Sequence, residues 1–420
     1  INVFANYQKS FGDHNIVAMA GFNQEDRKYK RIGGVGQDLL SETLNDLDLV
    51  IGEKQFNGGA DEWAVRGGFY RLNYDYKGKY LFETSGRYDG TSRFPKSSRF
   101  GFFPSFSAGW RVSEEAFFQP IKNTINNLKV RYSYGSLGNQ EVDTYAYIAS
   151  MGTGQINYLV DGQKLNVTYN PAPVAPSLTW EKISTSNIGL DFSLLNNRLN
   201  VESDYYVRNT IGMLSIGETL PDVFGAGEPK VNAADLRTKG FDLSLTWRDQ
   251  LNLASKPFNY SVRAILSDYT SEITKFSNPA GLLNTYYVGQ QLGEIWGYRY
   301  DGFFKTTEEA QAYAQIVNQD QINRRRVQAP TEDLRRLQAG DIKIKDLNGD
   351  GIINAGKSTL SDPGDREIIG NSQPRYSYGL TLSANWNGID ASVFFQGIGR
   401  RHWYPNLEAQ AFWSVYARPY

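Results

Sequence analysis

The chain has 420 residues, a formal net charge of −1, no cysteine and two histidines. This balance excludes a basic nucleic-acid footprint, a disulfide framework and thiol catalysis. A mean hydropathy of −0.49, with no apolar run near the ~20 residues of a spanning helix, excludes a bundle of membrane helices. Aromatics reach 14%, with 27 Tyr and 23 Phe beside 41 Gly. That composition suits pleated surfaces joined by tight turns.

The chain opens on Ile1-Asn2-Val3-Phe4, already in strand-like alternation and without the basic and apolar regions of a targeting segment. The expectation is therefore a piece of a longer exported polypeptide. Phe11-Gly12-Asp13-His14-Asn15 reads as the first hairpin turn and Lys77-Gly78-Lys79 as the next, between Tyr76 and Tyr80. Leu128 to Tyr134 alternates with Lys129 and Arg131 on its polar face. Ile188 to Leu194 places Ile188, Leu190, Phe192 and Leu194 on one face, and Asn196-Asn197 turns it into the strand from Leu199. Phe241 to Trp247 and Tyr378 to Trp386 repeat the pattern. Asn387-Gly388 is the pair that a type I′ hairpin demands. About a dozen strands of roughly nine to twelve residues result, the length that crosses a bilayer when tilted. Between them run long connections: Glu25 to Asp61, Gly138 to Thr179, Ile211 to Thr238 and Tyr269 to Gln373. The longest carries a capping-box pattern, Thr306-Thr307-Glu308-Glu309, opening a short helix over Ala310 to Val317, and a second short turn over Glu332 to Leu337.

A soluble β-sandwich alternates in the same way, so the chemistry of the two faces decides. Aromatics stand at strand ends (Trp247, Trp386, Tyr74, Tyr76, Tyr80 and Phe82), as interfacial girdles require. Charges stand mid-strand on the polar face (Arg263, Glu202, Asp204, Lys129 and Arg131), as a wet lumen permits. Short turns alternate with long loops down the chain. The fold class expected is all-β: a transmembrane antiparallel β-barrel in the outer membrane of a bacterium, with long extracellular loops, residues 269–373 forming the largest insertion.

Four passages carry a family resemblance. They are Tyr88-Asp89-Gly90-Thr91-Ser92-Arg93-Phe94 with Arg99 to Val112, Asn187 to Phe192, Gly293 to Phe304, and Gly340 to Ile352 continued by Ile369-Gly370-Asn371 and Pro374 to Gly379. In this order and spacing the chain resembles the barrel of the SusC/RagA-like TonB-dependent transporters of Bacteroidetes-type bacteria. The resemblance implies a 22-stranded barrel around an N-terminal plug, of which this chain supplies roughly a dozen strands. It implies a SusD-like surface lipoprotein as a lid, and uptake of oligosaccharides or oligopeptides driven by TonB with ExbB and ExbD. No TonB box, plug or closing strands are read in this sequence, so energy coupling is expected to lie in a missing N-terminal region.

Asp346-Leu347-Asn348-Gly349-Asp350-Gly351-Ile352 has oxygen ligands at positions one, three and five and Gly at six of an EF-hand-type loop. Ile352 would give its carbonyl, and because Lys357 stands at position twelve, Asp362 or Asp365 is the candidate substitute for the acid, Asp365 being the one preferred. The ligand would be a structural calcium; no other cofactor is expected. The competing reading is a tight turn held by its own Asx hydrogen bonds. Arg324-Arg325-Arg326 and Arg335-Arg336 form a basic cluster that would meet lipopolysaccharide, an acidic ligand or the lid, or simply solvent. Trp63, Trp296, Tyr298, Trp403, Tyr404 and Trp413 would stack on sugar rings or contact the lid, or serve as packing. His14 and His402 stand apart from any nucleophile, and no enzyme is expected. Import of oligomeric nutrients leads. A siderophore or cobalamin receptor, or a surface β-protein that binds glycan without transport, are the alternatives.

Overall fold

The two-residue period of the sequence becomes long strands. A computed structural model describes residues 1–403 apart from 42, 45, 172, 218–226 and 318–336, and apart from the Ile216 side chain. The strands are β1 (Asn2–Phe11), β2 (His14–Gly36), β3 (Lys54–Tyr76), β4 (Tyr80–Thr91), β5 (Phe100–Arg111), β6 (Ile125–Asn139), β7 (Thr153–Gln155), β8 (Asn166–Thr168) and β9 (Glu181–Leu194). There follow β10 (Leu199–Ile216), β11 (Lys230–Leu253), β12 (Lys256–Lys275), β13 (Glu294–Tyr298), β14 (Tyr300–Phe303), β15 (Ile342–Ile344), β16 (Arg366–Asn371), β17 (Arg375–Trp386) and β18 (Ile389–Arg400). Among the described residues one α-helix, α1 (Thr307–Ala314), lies between β14 and β15.

Twelve strands form one sheet in the order β1-β2-β3-β4-β5-β6-β9-β10-β11-β12-β17-β18. Each strand thus lies beside its predecessor in sequence, with β7–β8 and β13–β16 set aside in loops. This up-and-down antiparallel sheet is the β-barrel fold that the alternation predicts. Several strands exceed the expected length: β2 and β3 have 23 residues and β11 has 24. The connections shrink accordingly, so that 37–53 replaces 25–61 and 276–374 replaces 269–373. The reason is pairing: the charged run after Glu25 hydrogen-bonds residue by residue to the equally polar start of β3, with Lys28 opposite Glu62 and their side chains 2.9 Å apart. Backbone ladders need no apolar face once a strand leaves lipid.

The turns form as their residues dictate. Asn387 and Gly388 have φ of 50° and 83°, both positive as type I′ requires. Thr306 caps α1 by accepting from the Glu309 N–H, and Glu309 in return accepts from the Lys305 N–H at 2.8 Å.

The chain divides into two compact units. The first comprises Ile1–Glu115, Val130–Ser186 and Thr210–Ala233. The second comprises Ala116–Lys129, Asn187–Asn209 and the chain from Ala234. In the first, Phe94, Val142, Ala175 and Leu178 form a buried cluster, with Trp180 packed edge-on against Phe94 and Phe103. In the second, Val317, Ile344 and Ile353 are buried together, with Tyr298 and Tyr313 against them.

Candidate functional site

The two faces of the sheet differ in chemistry. In the second unit the cross-strand rows Leu245–Ala264–Leu380–Phe395 and Trp247–Val262–Leu382–Val393 run across four strands. Leu382, Val393 and Phe395 in these rows are exposed to the surroundings, as a surface covered by lipid tails must be. The next row, Arg248–Ser261–Ser383–Ser392, is polar, and the Ser383 and Ser392 hydroxyls lie 3.2 Å apart. Toward the short turns this polar face opens into a cavity of about 1000 Å³ lined by Arg198, Arg248, Asp249, Asn259 and Asn385 among others. In the first unit the polar face carries Arg71 on Glu83 at 2.7 Å and Arg87 in a two-point contact with Asp89. Aromatic rings stack where the short turns begin: His14 on Phe11 and Tyr74, and Tyr76 on Tyr80.

Parts of the passages that carry the family resemblance are buried or packed. Gly90 lies under the Phe100 ring, where a Cβ would come within 2.3 Å of it; Thr91 and Phe94 are fully buried. Glu294 accepts from the Gln291 N–H at 2.8 Å and from the Tyr287 hydroxyl. Burial and that hydrogen bond push the Tyr287 phenol up to about 12.

Of the contact residues expected from sequence, Trp296 and Tyr298 lie on β13, opposite Ile368 and Arg366 of β16. Trp296 is half-buried. Tyr298 packs on the cluster around Ile353, and burial raises its phenol. Trp403 is exposed. Arg324, Arg325, Arg326, Tyr404, Arg335, Arg336 and Trp413 lie outside the described residues, as does most of the turn expected over 332–337.

The aspartate loop closes on its own donors. Asp346 accepts from Gly349 and Gly351 N–H at 2.7 and 2.8 Å, and Asp350 from Ile352 N–H at 2.7 Å. Asn348 accepts from Asp350 N–H at 3.0 Å, and Asn354 donates to the Ile352 carbonyl at 3.1 Å. Asp365, fully buried, accepts from Leu347 and Asn354 N–H. Each expected calcium ligand thus already serves a backbone or amide group. Among the described residues no three acidic or histidine side chains gather as a metal group would require. Burial pushes the Asp346 carboxyl up, but N–H donation from Gly351 and Gly349 and a hydrogen bond with Asp365 outweigh it and hold it below the usual range. A depressed carboxylate adds stability that is complete above its unfolded pKa of about 3.9 and is lost as pH falls through the folded value. Hydrogen exchange across 346–354 is expected to stay slow at pH 5 and to quicken well below pH ~3.9. Added calcium leaves that profile in place if hydrogen bonds alone hold the loop, and moves it to lower pH if an ion binds.

Sequence reasoning singled out Trp63 but missed its surroundings. Trp63 of β3, Arg93 after β4, and Asn139, Gln140 and Glu141 at the end of β6 line a cleft of about 210 Å³ in the first unit. They come from three segments of the chain, so no local motif announces them.

An up-and-down sheet with one lipid-type face and one charged face defines an outer-membrane β-barrel protein. The chain belongs to the family described as "TonB dependent receptor-like, beta-barrel", whose profile matches residues 2–418. It is SusC/RagA-like. A "TonB-dependent receptor" of Formosa agariphila is 31% identical over 408 residues, covering 93% of this chain and 38% of the relative. "TonB-dependent receptor SusC" of Bacteroides thetaiotaomicron is 27% identical, covering 98% and 40%. The structure titled "Structure of the RagAB peptide transporter" superposes with a TM-score of 0.72 at 23% identity, covering 94% of this chain and 40% of that one. The chain thus spans about two fifths of the length of these relatives. The family is one of receptors, not of enzymes.

Proposed function

We propose that the protein containing this chain imports oligomeric nutrients, oligosaccharides or oligopeptides, across the outer membrane. TonB with ExbB and ExbD drives it, and a SusD-like surface lipoprotein closes over its long loops. The observation that carries this reading is the pair of faces on the same strands. The apolar rows suit lipid, while Arg71–Glu83 and Arg87–Asp89 suit a wet passage, and the relatives' names supply the energy coupling. A "peptide importer" among the structural neighbours and a SusC among the relatives support oligomeric cargo and a lipoprotein partner.

The test is uptake. Cells lacking the gene are expected to lose accumulation of a labelled oligosaccharide or oligopeptide series, and a protonophore is expected to abolish it in the parent strain. A surface lipoprotein should appear by mass spectrometry among chains co-purifying in detergent. Uptake unchanged by the deletion for both cargo classes would sink the import reading.

A further inference from the structure

On β3 the even-numbered residues from Tyr76 back to Arg66 share the face opposite Arg71 and its partner Glu83. That face is the lipid side of the first unit: Tyr70, Leu72, Phe82, Phe102 and Phe106 stand on it and are exposed. It starts at the short turns with the aromatic row His14–Tyr76–Tyr80–Trp110. Ten residues farther along β2 and β3 it reaches the row Gln24–Arg66–Gly90–Phe100. Ten residues at ~3.3 Å each, on strands tilted ~40°, climb about 25 Å, the height of the apolar band of an outer-membrane barrel. Arg66 is the first Arg, Lys or acid met on this face in β2 to β5. Short turns lie on the periplasmic side, so Arg66 stands at the extracellular rim of the band, where lipid headgroups begin.

Arg66 is positioned but not neutralised. Its guanidinium lies 5.6 Å from the centre of the Phe100 ring, which itself stacks on Tyr88. The side chain is exposed and forms no ion pair among the described residues. Beside it Gly90, with no side chain to fill the row, leaves a recess of about 310 Å³. Gln24, Arg66, Ser92 and Arg99 line this recess, and among the described residues no carboxylate does. Ser92 Oγ accepts from the Ala64 N–H at 2.9 Å, which leaves its own hydrogen to donate. Toward the apolar band the next row is Phe22–Gly68–Tyr88. A Cβ at Gly68 would meet only the Gly21 carbonyl oxygen, at 4.0 Å, while Phe22 and Tyr88 on either side are exposed. An open furrow therefore runs from the recess down between two aromatic rings.

We propose that this recess binds the phosphate of an outer-leaflet glycolipid of the lipopolysaccharide type, with one acyl chain lying in the Gly68 furrow. The charge selects the group. Arg66, the Ser92 hydroxyl and the Gln24 amide all offer donors, and a phosphate only accepts. The planar guanidinium meets two phosphate oxygens at once, which makes the contact directional as well as charged. The height selects the source, because an anion carried on a lipid arrives at this level with its chains already pointing down the furrow. The site faces lipid, so it is independent of what the barrel carries.

The test uses the full-length transporter with its co-purifying chains, delipidated in detergent. It is titrated with phosphorylated lipid A and with the same lipid A after dephosphorylation, and bound lipid is read by native mass spectrometry. The phosphorylated form is expected to bind about tenfold more tightly. Arg66→Ala should erase that preference, and Arg66→Lys, which keeps the charge without the fork, should retain part of it. Gly68→Leu, which fills the furrow below the guanidinium, should weaken phosphorylated lipid A about threefold or more. Millimolar inorganic phosphate should leave the lipid bound. Arg66 is exposed and unpaired, so the lipid-free melting temperature of its variants should match the parent's. The comparison of the two lipids on the parent protein needs no variant at all. Equal binding of both lipids by the parent overturns the proposal, as does a preference that survives Arg66→Ala. Displacement of lipid A by inorganic phosphate would assign the recess to a free anion instead, and unchanged binding in Gly68→Leu would overturn the place given to the acyl chain.

Discussion

Arg375→Ala is expected to loosen the root of the 276–374 connection by about 3 kcal/mol, the lower end of the ~3–5 kcal/mol for breaking a buried ion pair. Arg375 opens β17 and donates from Nε and Nη2 to the two oxygens of Asp268 on β12, at 2.6 and 2.5 Å. The Tyr376 N–H donates to the same carboxylate at 3.2 Å. Tyr376 has a φ of 56° and drops out of the β17–β18 ladder, in which Arg375 pairs with Arg400 and Ser377 with Ile398. The carboxylate thus holds this interruption of the ladder as well as a guanidinium. Asp268 is only 7% exposed, so losing Arg375 strands a charge with only backbone N–H groups, those of Tyr376 and Tyr269, for company; the lower end applies because the Arg375 side chain is 25% exposed. Arg375→Lys keeps the charge and loses the fork, and should fall between. The decisive comparison is the double variant Asp268→Ala/Arg375→Ala. Removing both charges should cost less than Arg375→Ala alone, because nothing ionised remains buried. Hydrogen exchange of 269–275 and 377–380 reads the effect. A double variant at least as destabilised as the single would show that packing, not the stranded charge, sets the cost.

What the sequence made legible follows from how local each signal is. Period-two alternation placed β9, β11 and β17, and Asn387-Gly388 placed a turn, because each needs only its own residues. Ala254 and Ser255 adopt φ of 49° and 60° without Asn or Gly to invite it. There the long β11–β12 ladder, continuous to Leu253 opposite Lys256, imposes the turn from outside. The charged stretch Glu25 to Lys28 looked like loop because only its partner strand makes it β. For Tyr298 and Trp296 the sequence shows an aromatic but not its burial; the structure places both, half-buried, on β13 opposite β16. The cleft around Gln140 was illegible for the opposite reason. Its polar residues are unremarkable singly, and only the folded chain brings Trp63 and Arg93 to them.

Asp365→Ala is expected to open the aspartate loop while leaving the sheet as stable as before. Asp365 is fully buried and its two oxygens accept from Leu347 and Asn354 N–H, each at 2.9 Å. It thereby joins the two ends of the segment containing Asp346, Asn348 and Asp350. Truncation leaves two backbone donors without an acceptor, at about 1–3 kcal/mol each, or roughly 2–6 kcal/mol in all. Between those donors lies Ile353, fully buried against Val317 and Ile344, so opening the loop also exposes the small core it covers. Asp365→Asn retains one acceptor oxygen but turns two amide hydrogens toward groups that are themselves donors, and should recover at most part of the loss. The readouts are limited proteolysis between 346 and 366, which should speed up, and heat resistance of the barrel, which should not change. Cleavage unchanged in Asp365→Ala would mean that the loop does not depend on the two hydrogen bonds that define its closure. Cleavage that speeds up together with loss of the barrel would mean that this loop, far along the chain from the strands it interrupts, is part of what holds them.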